Sequence, residues 1–165
     1  MITTILAFDP GGTTGVCDIT FDSSGGRSYQ LHQLGPEEHH LQLSQLIKKM
    51  DVELPDRLFI VCERFEYRAH SKAGLRLDSR EYIGVIKQTA QELSLPVVMQ
   101  SAAQAKGFVS NEHIKRAGLY RTSYRHAMDA VRHAIYFLVN NADYNKVMLD
   151  YEAKLRHDML KNVYK

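Results

Sequence analysis

Cysteine is scarce: among 165 residues there are two, Cys17 and Cys62, both in predicted strands and without a CxxC spacing. That pattern argues against metal or redox chemistry on thiolates and for two buried, reduced thiols. Long apolar runs are missing as well. No stretch approaches the roughly 18–20 residues of a membrane span, and the first apolar run is interrupted by Asp9 and Pro10 before it could serve as a secretory core. A cytoplasmic protein without a membrane partner is the expectation. No internal repeat or low-complexity segment occurs. At 44% hydrophobic residues the chain can bury one core and is too short for two full lobes. One domain spanning residues 1–165 is expected, with a helical extension from about residue 143.

A net charge of +2 conceals an asymmetry. Met1 to Glu63 holds four Lys/Arg against nine Asp/Glu, whereas Arg64 to His133 holds twelve against six. The cations of the second part gather at Arg64, Arg68, Lys72, Arg76 and Arg80, and again at Lys106, Lys115, Arg116, Arg121, Arg125 and Arg132. Acids interrupt each cluster, as on an ordinary solvated surface; the functional alternative is a surface that tracks phosphates.

What the chain does have is a strand that ends on a carboxylate. In Thr4-Ile-Leu-Ala-Phe-Asp9-Pro10-Gly11-Gly12-Thr13-Thr14-Gly15, strand alternation sends Ile5, Ala7 and Asp9 to one face and Leu6 and Phe8 to the other. Pro10 cannot donate to a sheet ladder, so the strand stops past Asp9 and turns at the glycines. A lone carboxylate at the end of a buried strand costs several kcal/mol or takes up a proton, unless a cation or donors compensate it. The arrangement asks for a metal or a phosphate.

Strands over Thr14–Phe21 and Ser28–Leu34 complete an antiparallel meander. A helix follows from Gly35-Pro36-Glu37-Glu38 with Leu43, Leu46, Ile47 and Met50 at helical spacing. Leu58-Phe-Ile-Val-Cys62-Glu63 is nearly continuously apolar, which suits a doubly buried strand parallel to the first. It too ends on an acid, so Asp9 and Glu63 should meet at one sheet edge, the kind of edge where open α/β sheets bind ligands. Arg64 to Leu77 reads as a basic loop. Asp78 and Glu81 open a helix with Tyr82, Ile86, Thr89, Ala90 and Leu93 facing inward. Its additional Ile83 and Val85 exceed the needs of one inward face and suggest either a dimer contact or a wholly buried helix. A short strand over Pro96–Met99 and short helices around Ala102–Lys106 and Ser110–Ala117 follow.

In Ser123-Tyr-Arg-His126-Ala-Met-Asp129-Ala-Val-Arg-His133-Ala-Ile-Tyr-Phe-Leu138, residues Tyr124, Met128, Val131, Ile135 and Leu138 form a core stripe. His126, Asp129 and His133 share another face, within reach of one site. Alone, these three would read as surface residues; beside two strand-ending acids, Asp129 becomes a third isolated carboxylate. Three such acids suit a hard divalent-cation site, and two cations about 4 Å apart can activate water and stabilise the leaving oxygen in phosphodiester cleavage.

The Asp9-Pro-Gly turn with Thr14-Gly15, the strand ending Cys62-Glu63 and the His126-x-x-Asp129-Ala helix, in this order, resemble the RuvC-like Holliday junction resolvases of the RNase H-like superfamily, particularly small phage-encoded versions. The resemblance implies an α/β fold with a mixed five-stranded sheet of order 3-2-1-4-5 and helices on both faces. It also implies a homodimer and dependence on magnesium or manganese, two ions per site, held by Asp9, Glu63 and Asp129. His126 stands where many members carry a fourth acid; metal ligand, water-orienting group and proton relay are all open to it, with its ring buried near the cations. His133, one turn further and nearer the outer side of the helix, would stand behind the ligands or have no role.

The expected activity is paired phosphodiester hydrolysis of four-way DNA junctions, with fork or flap cleavage and non-catalytic branched-DNA binding as alternatives. If the protein is phage-encoded, it would act in the bacterial host's cytoplasm. Arg64, Tyr67, Arg68, Lys72, Arg76, Lys106, Arg121 and Arg125 are the candidate DNA contacts, with Phe65 and Tyr67 able to stack on unpaired bases. Sugar-kinase and actin-like ATPases share an Asp-x-Gly-x-Thr turn but need a second lobe and a second glycine-rich phosphate loop, for which this chain has neither length nor motif.

Overall fold

The structure is a computed structural model that describes residues 2–24, 26–36, 39–53, 56–66 and 78–140. The extension expected from about 143 and the loop positions Tyr67, Arg68, Lys72 and Arg76 lie outside these residues. Five strands, β1 (Ile2–Asp9), β2 (Thr14–Asp22), β3 (Arg27–Leu34), β4 (Arg57–Glu63) and β5 (Val97–Gln100), form one sheet of order β3-β2-β1-β4-β5. β1, β2 and β3 pair antiparallel, while β4 runs parallel to β1 and to β5. This is the expected mixed sheet of order 3-2-1-4-5.

The alternation read from β1 divides the core as anticipated. Ile5 and Ala7 join Cys17, Ile19, Phe59 and Val61 on one face, beneath α5 (Ala127–Asn140). Leu6 and Phe8 join Val16, Leu58, Ile60 and Cys62 on the other, beneath α1 (His39–Glu53) and α2 (Asp78–Glu92). Cys17 and Cys62 are buried and free. α1 starts beyond Pro36 and buries Leu43, Ile47 and Met50. Along α2, Ile83 and Ile86 are buried in the chain's own core, with Val85 partly buried against it.

Two short helices follow β5. Ser101 accepts from the Gln104 amide while the Gln104 side chain accepts from the Ser101 N–H, a capping box that starts α3 (Ala102–Phe108) next to the sheet edge. Ser110 and His113 do the same for α4 (Asn111–Arg116).

The last helix begins later than its sequence pattern indicates. Ser123 to His126 form turns, and Tyr124, expected in the core stripe, is 38% exposed. The reason is a close approach to the sheet. A Cβ on Gly15 would lie 2.0 Å from the His126 carbonyl oxygen, so only glycine lets the segment before α5 rest on β2. Gly15 pairs with Asp9 on one side and with Gln33 on the other, and Gln33 Oε1 accepts from the His126 N–H at 2.8 Å. That row of the sheet therefore carries Asp9 and seats the start of α5.

Candidate active site

Three elements deliver the site. Asp9 and Glu63 end the adjacent parallel strands β1 and β4, and Asp129 projects from the first turn of α5, seated on the same row as Asp9. Past Asp9, Thr14 Oγ1 accepts from the Gly11 N–H at 3.3 Å and meets His39 Nε2, and His39 stacks on Tyr82 with ring centroids 3.7 Å apart. The turn is thereby tied to α1 and α2.

The electrostatics show that the three acids sense one another. Burial, then the charges of Glu63 and Asp129, push the Asp9 carboxyl up from 3.8 to about 8. Glu63 is also penalised by burial, but the His133 hydrogen bond and the charge of Lys106 outweigh that penalty and hold it below its usual range. Lys106 projects from α3 into this cluster, with Nζ 3.0 Å from Asp129 Oδ2 and 3.7 Å from Glu63 Oε2. Burial opposes its charge, yet the bond to Asp129 and the charges of Glu63, Asp129 and Asp9 raise its pKa.

The other oxygen of Asp129 is gripped by Arg132, whose guanidinium also donates to the Val109 carbonyl at 3.1 Å and to Asn111 Oδ1. Among the described residues no three acid, histidine or cysteine side chains converge closely enough, as they stand, to hold an ion. The donor chemistry nonetheless fits a hard divalent cation: Asp9, Glu63 and Asp129 offer carboxylate oxygens, and the repulsion from Glu63 and Asp129 that adds to burial in raising Asp9 is one that a cation would relieve.

The structure corrects the reading of the two helix histidines. His126 precedes α5 and its ring is exposed, not buried; the backbone of this residue is what the sheet fixes. His133, expected nearer the outer side, is fully buried, with Nε2 2.9 Å from Glu63 Oε2 and Nδ1 2.8 Å from Gln100 Oε1.

Among the candidate DNA contacts, Lys106 lies within the acid cluster. Arg121 and Arg125 border a cavity of roughly 400 Å³ that reaches Asp129 and Arg132, and Arg121 stacks on Tyr29. Arg64 is exposed beside a larger groove that also includes Phe65, Arg80 and Lys87, with Arg80 over the Phe65 ring. Phe65 itself packs against the α1/α2 core.

Gln100 and Arg132 also stand at the site, and the sequence carries a signal for each. Gln100 ends β5 as Glu63 ends β4, and the two are register partners. Arg132 stands one helical turn from Asp129, the spacing of an i,i+3 pair.

No protein-family model matches the chain, and no curated protein matches it in sequence. Solved structures do match in three dimensions. Thermus thermophilus RuvC aligns with a TM-score of 0.55 at 13% identity, covering 81% of this chain and 94% of that one. The same protein in complex with Holliday junction substrate aligns with a TM-score of 0.56 at 13% identity, covering 81% and 91%. The yeast mitochondrial Holliday junction resolvase Ydc2 aligns with a TM-score of 0.50 at 11% identity, covering 95% and 83%. With its β3-β2-β1-β4-β5 sheet and its helices on both faces, the chain has the RuvC-like form of the RNase H-like fold.

Proposed function

We propose that the protein is a divalent-metal-dependent endodeoxyribonuclease that resolves four-way DNA junctions as a homodimer. The observation that carries this reading is that Asp9 and Glu63 end adjacent parallel strands of a RuvC-like sheet and that Lys106 bridges Glu63 to Asp129 at the same edge. A protein that merely held DNA would have no use for three carboxylates in a groove meant for phosphates.

Asp9, Glu63 and Asp129 would hold magnesium or manganese, two ions per site. Such ions, when bound, supply water activation and leaving-oxygen stabilisation. The chain's own side chains do the rest. Lys106 offsets negative charge between Glu63 and Asp129 and is positioned to attract a phosphate into the cluster. Arg132 restrains the Asp129 carboxylate by bridging it to Val109 and Asn111. Arg121 and Arg125, on the cavity adjoining Asp129, would receive the strand leaving the site. The groove at Arg64 and Arg80 would receive another part of the DNA, and Tyr67, Arg68, Lys72 and Arg76, outside the described residues, are kept as candidate contacts from the sequence. Paired cuts need two such sites related by a two-fold axis, which an isologous dimer supplies.

The test is cleavage of synthetic junction, fork, flap and duplex DNA in magnesium or manganese. Asp9→Asn, Glu63→Gln and Asp129→Asn should each lower junction cleavage by about a thousandfold or more and leave junction binding within several-fold, because phosphate contacts persist when a ligand charge is removed. Full cleavage by any one variant removes that acid from the mechanism. Tight binding without cleavage by the unmodified protein replaces the nuclease by a branched-DNA-binding protein.

A further inference from the structure

The face of the sheet beneath α5 is apolar at its centre, through Ile5 and Ala7, Phe59 and Val61, and Val98, and at its final level two buried polar side chains, His133 and Gln100, stand behind Glu63. An aliphatic pair would fill this space without burying polar atoms. Here both imidazole nitrogens have a partner, Nε2 in the Glu63 carboxylate at 2.9 Å and Nδ1 in the Gln100 side-chain amide at 2.8 Å. Packing alone gives no reason to bury two polar side chains here. Orientation of Glu63 does give one. Glu63 is 20% exposed, at the mouth of the site, and a carboxylate so placed rotates unless something holds it. The brace comes from two directions: β5 sets Gln100 opposite Glu63 in register, and α5 sets His133 one turn beyond Asp129.

We propose that His133, braced by Gln100, is a positioning residue that fixes the Glu63 carboxylate for a divalent cation. Because His133 and Asp129 share α5, the same contact sets the spacing between the acid of β4 and the acid of the helix. The functional meaning rests on the nuclease reading, but the brace is a property of cation binding and can be measured without DNA. Partners that orient a ligand in this way change metal affinity or activity by about 10–100-fold when removed.

The experiment uses the full chain and Mn2+ alone, with bound ion counted by electron paramagnetic resonance and folding checked by thermal denaturation. His133→Leu should weaken Mn2+ binding by about tenfold or more. His133→Gln, whose amide can reach the position of Nε2, should regain most of that loss, and Gln100→Leu should fall between. In a Glu63→Gln background, His133→Leu should cost no further affinity, because the group it positions is no longer a charged ligand. The Mn2+ concentration for half-maximal junction cleavage should follow the same ranking.

A folded His133→Leu variant with unaltered Mn2+ affinity overturns the proposal, as does an equal loss in the Glu63→Gln background. If His133→Leu does not fold, Gln100→Leu and His133→Gln carry the comparison, and unaltered affinity in Gln100→Leu overturns it. Unmodified protein that binds no Mn2+ overturns the brace together with the metal-dependent reading. Unmodified protein that binds Mn2+ but cuts no branched DNA overturns the nuclease reading, while the ranking of affinities still decides the brace.

Discussion

On the face covered by α1 and α2, β1 and β4 finish apolar, through Leu6 and Phe8 and through Leu58, Ile60 and Cys62. On the opposite face the same two strands pass through Ile5 and Ala7, and through Phe59 and Val61, and end on Asp9 and Glu63. One backbone thus carries two programmes, separated by the two-residue period of a strand. The first face adds packing. The second packs equally well at its centre but gathers like charges at its edge, where burial raises Asp9 to about 8 and Lys106 offsets Glu63 and Asp129. The stability of the fold should therefore respond to packing on both faces, and the chemistry to the α5 edge.

The largest expected effect that bears on this contrast is Phe8→Ala. Phe8 is fully buried among Val16, Leu43 and Ile60, and its loss should cost about 3–5 kcal/mol in denaturant unfolding. The cleavage rate per folded molecule should stay near the unmodified value. A variant that keeps its stability but loses cleavage would break the separation of the two faces.

Gly15→Ala comes next, because it sits where the faces are joined. The added Cβ would collide with the His126 carbonyl and the Ala127 nitrogen, both backbone atoms that cannot swing aside. A loss of about 1–3 kcal/mol is expected, together with a fall in cleavage as Asp129 moves with α5. Unlike Phe8→Ala, this variant should remain impaired under conditions where it is fully folded, as measured by cleavage at low temperature.

The smallest effect compares two buried aspartates. Asp18, among the residues beneath α1, is raised from 3.8 to about 6 by burial, against a lowering bond from Thr20 and the charge of Lys49. A carboxyl raised by folding binds its proton more tightly in the folded state, so its penalty is absent below about pH 4, grows as pH rises to about 6 and is constant above. Asp18→Asn should therefore leave stability unchanged at pH 3 and add about 1–2 kcal/mol at pH 7. For Asp9 the sign is the same, but the window extends to about pH 8. Magnesium or manganese should raise the thermal midpoint of the unmodified protein and of Asp18→Asn, and should do so much less in Asp9→Asn. Equal midpoint shifts in the two variants would show that the cation does not sit at Asp9.

Much of the fold was legible because its signals are local. Alternation in β1, the continuous apolar run of β4 and the helical spacing of α2 each reflect contacts that a strand or helix must make wherever it lies. The two strand-ending acids were legible for the same reason: a carboxylate that closes an apolar strand needs a partner in any fold that buries the strand. The complete strand order came from the resemblance, since local patterns suggested the meander and the parallel fourth strand but not the place of the fifth.

Depth, in contrast, belongs to the tertiary structure. Helical spacing puts His126, Asp129 and His133 on one side of a helix, and by sequence alone the first looked the more buried. Once Gly15 holds the chain at His126, α5 starts at the rim and descends, so His126 is left exposed, Asp129 stands at the mouth and His133 lies beneath Glu63. Lys106 and Gln100 enter the site because β5 and the Ser101 capping box deliver α3 to the edge where Glu63 ends. Residue type and period determined which groups could do chemistry. Long-range packing decided which of them meet, because the distance between a strand end and a helix turn is set by the contacts between elements and not by the spacing within either one.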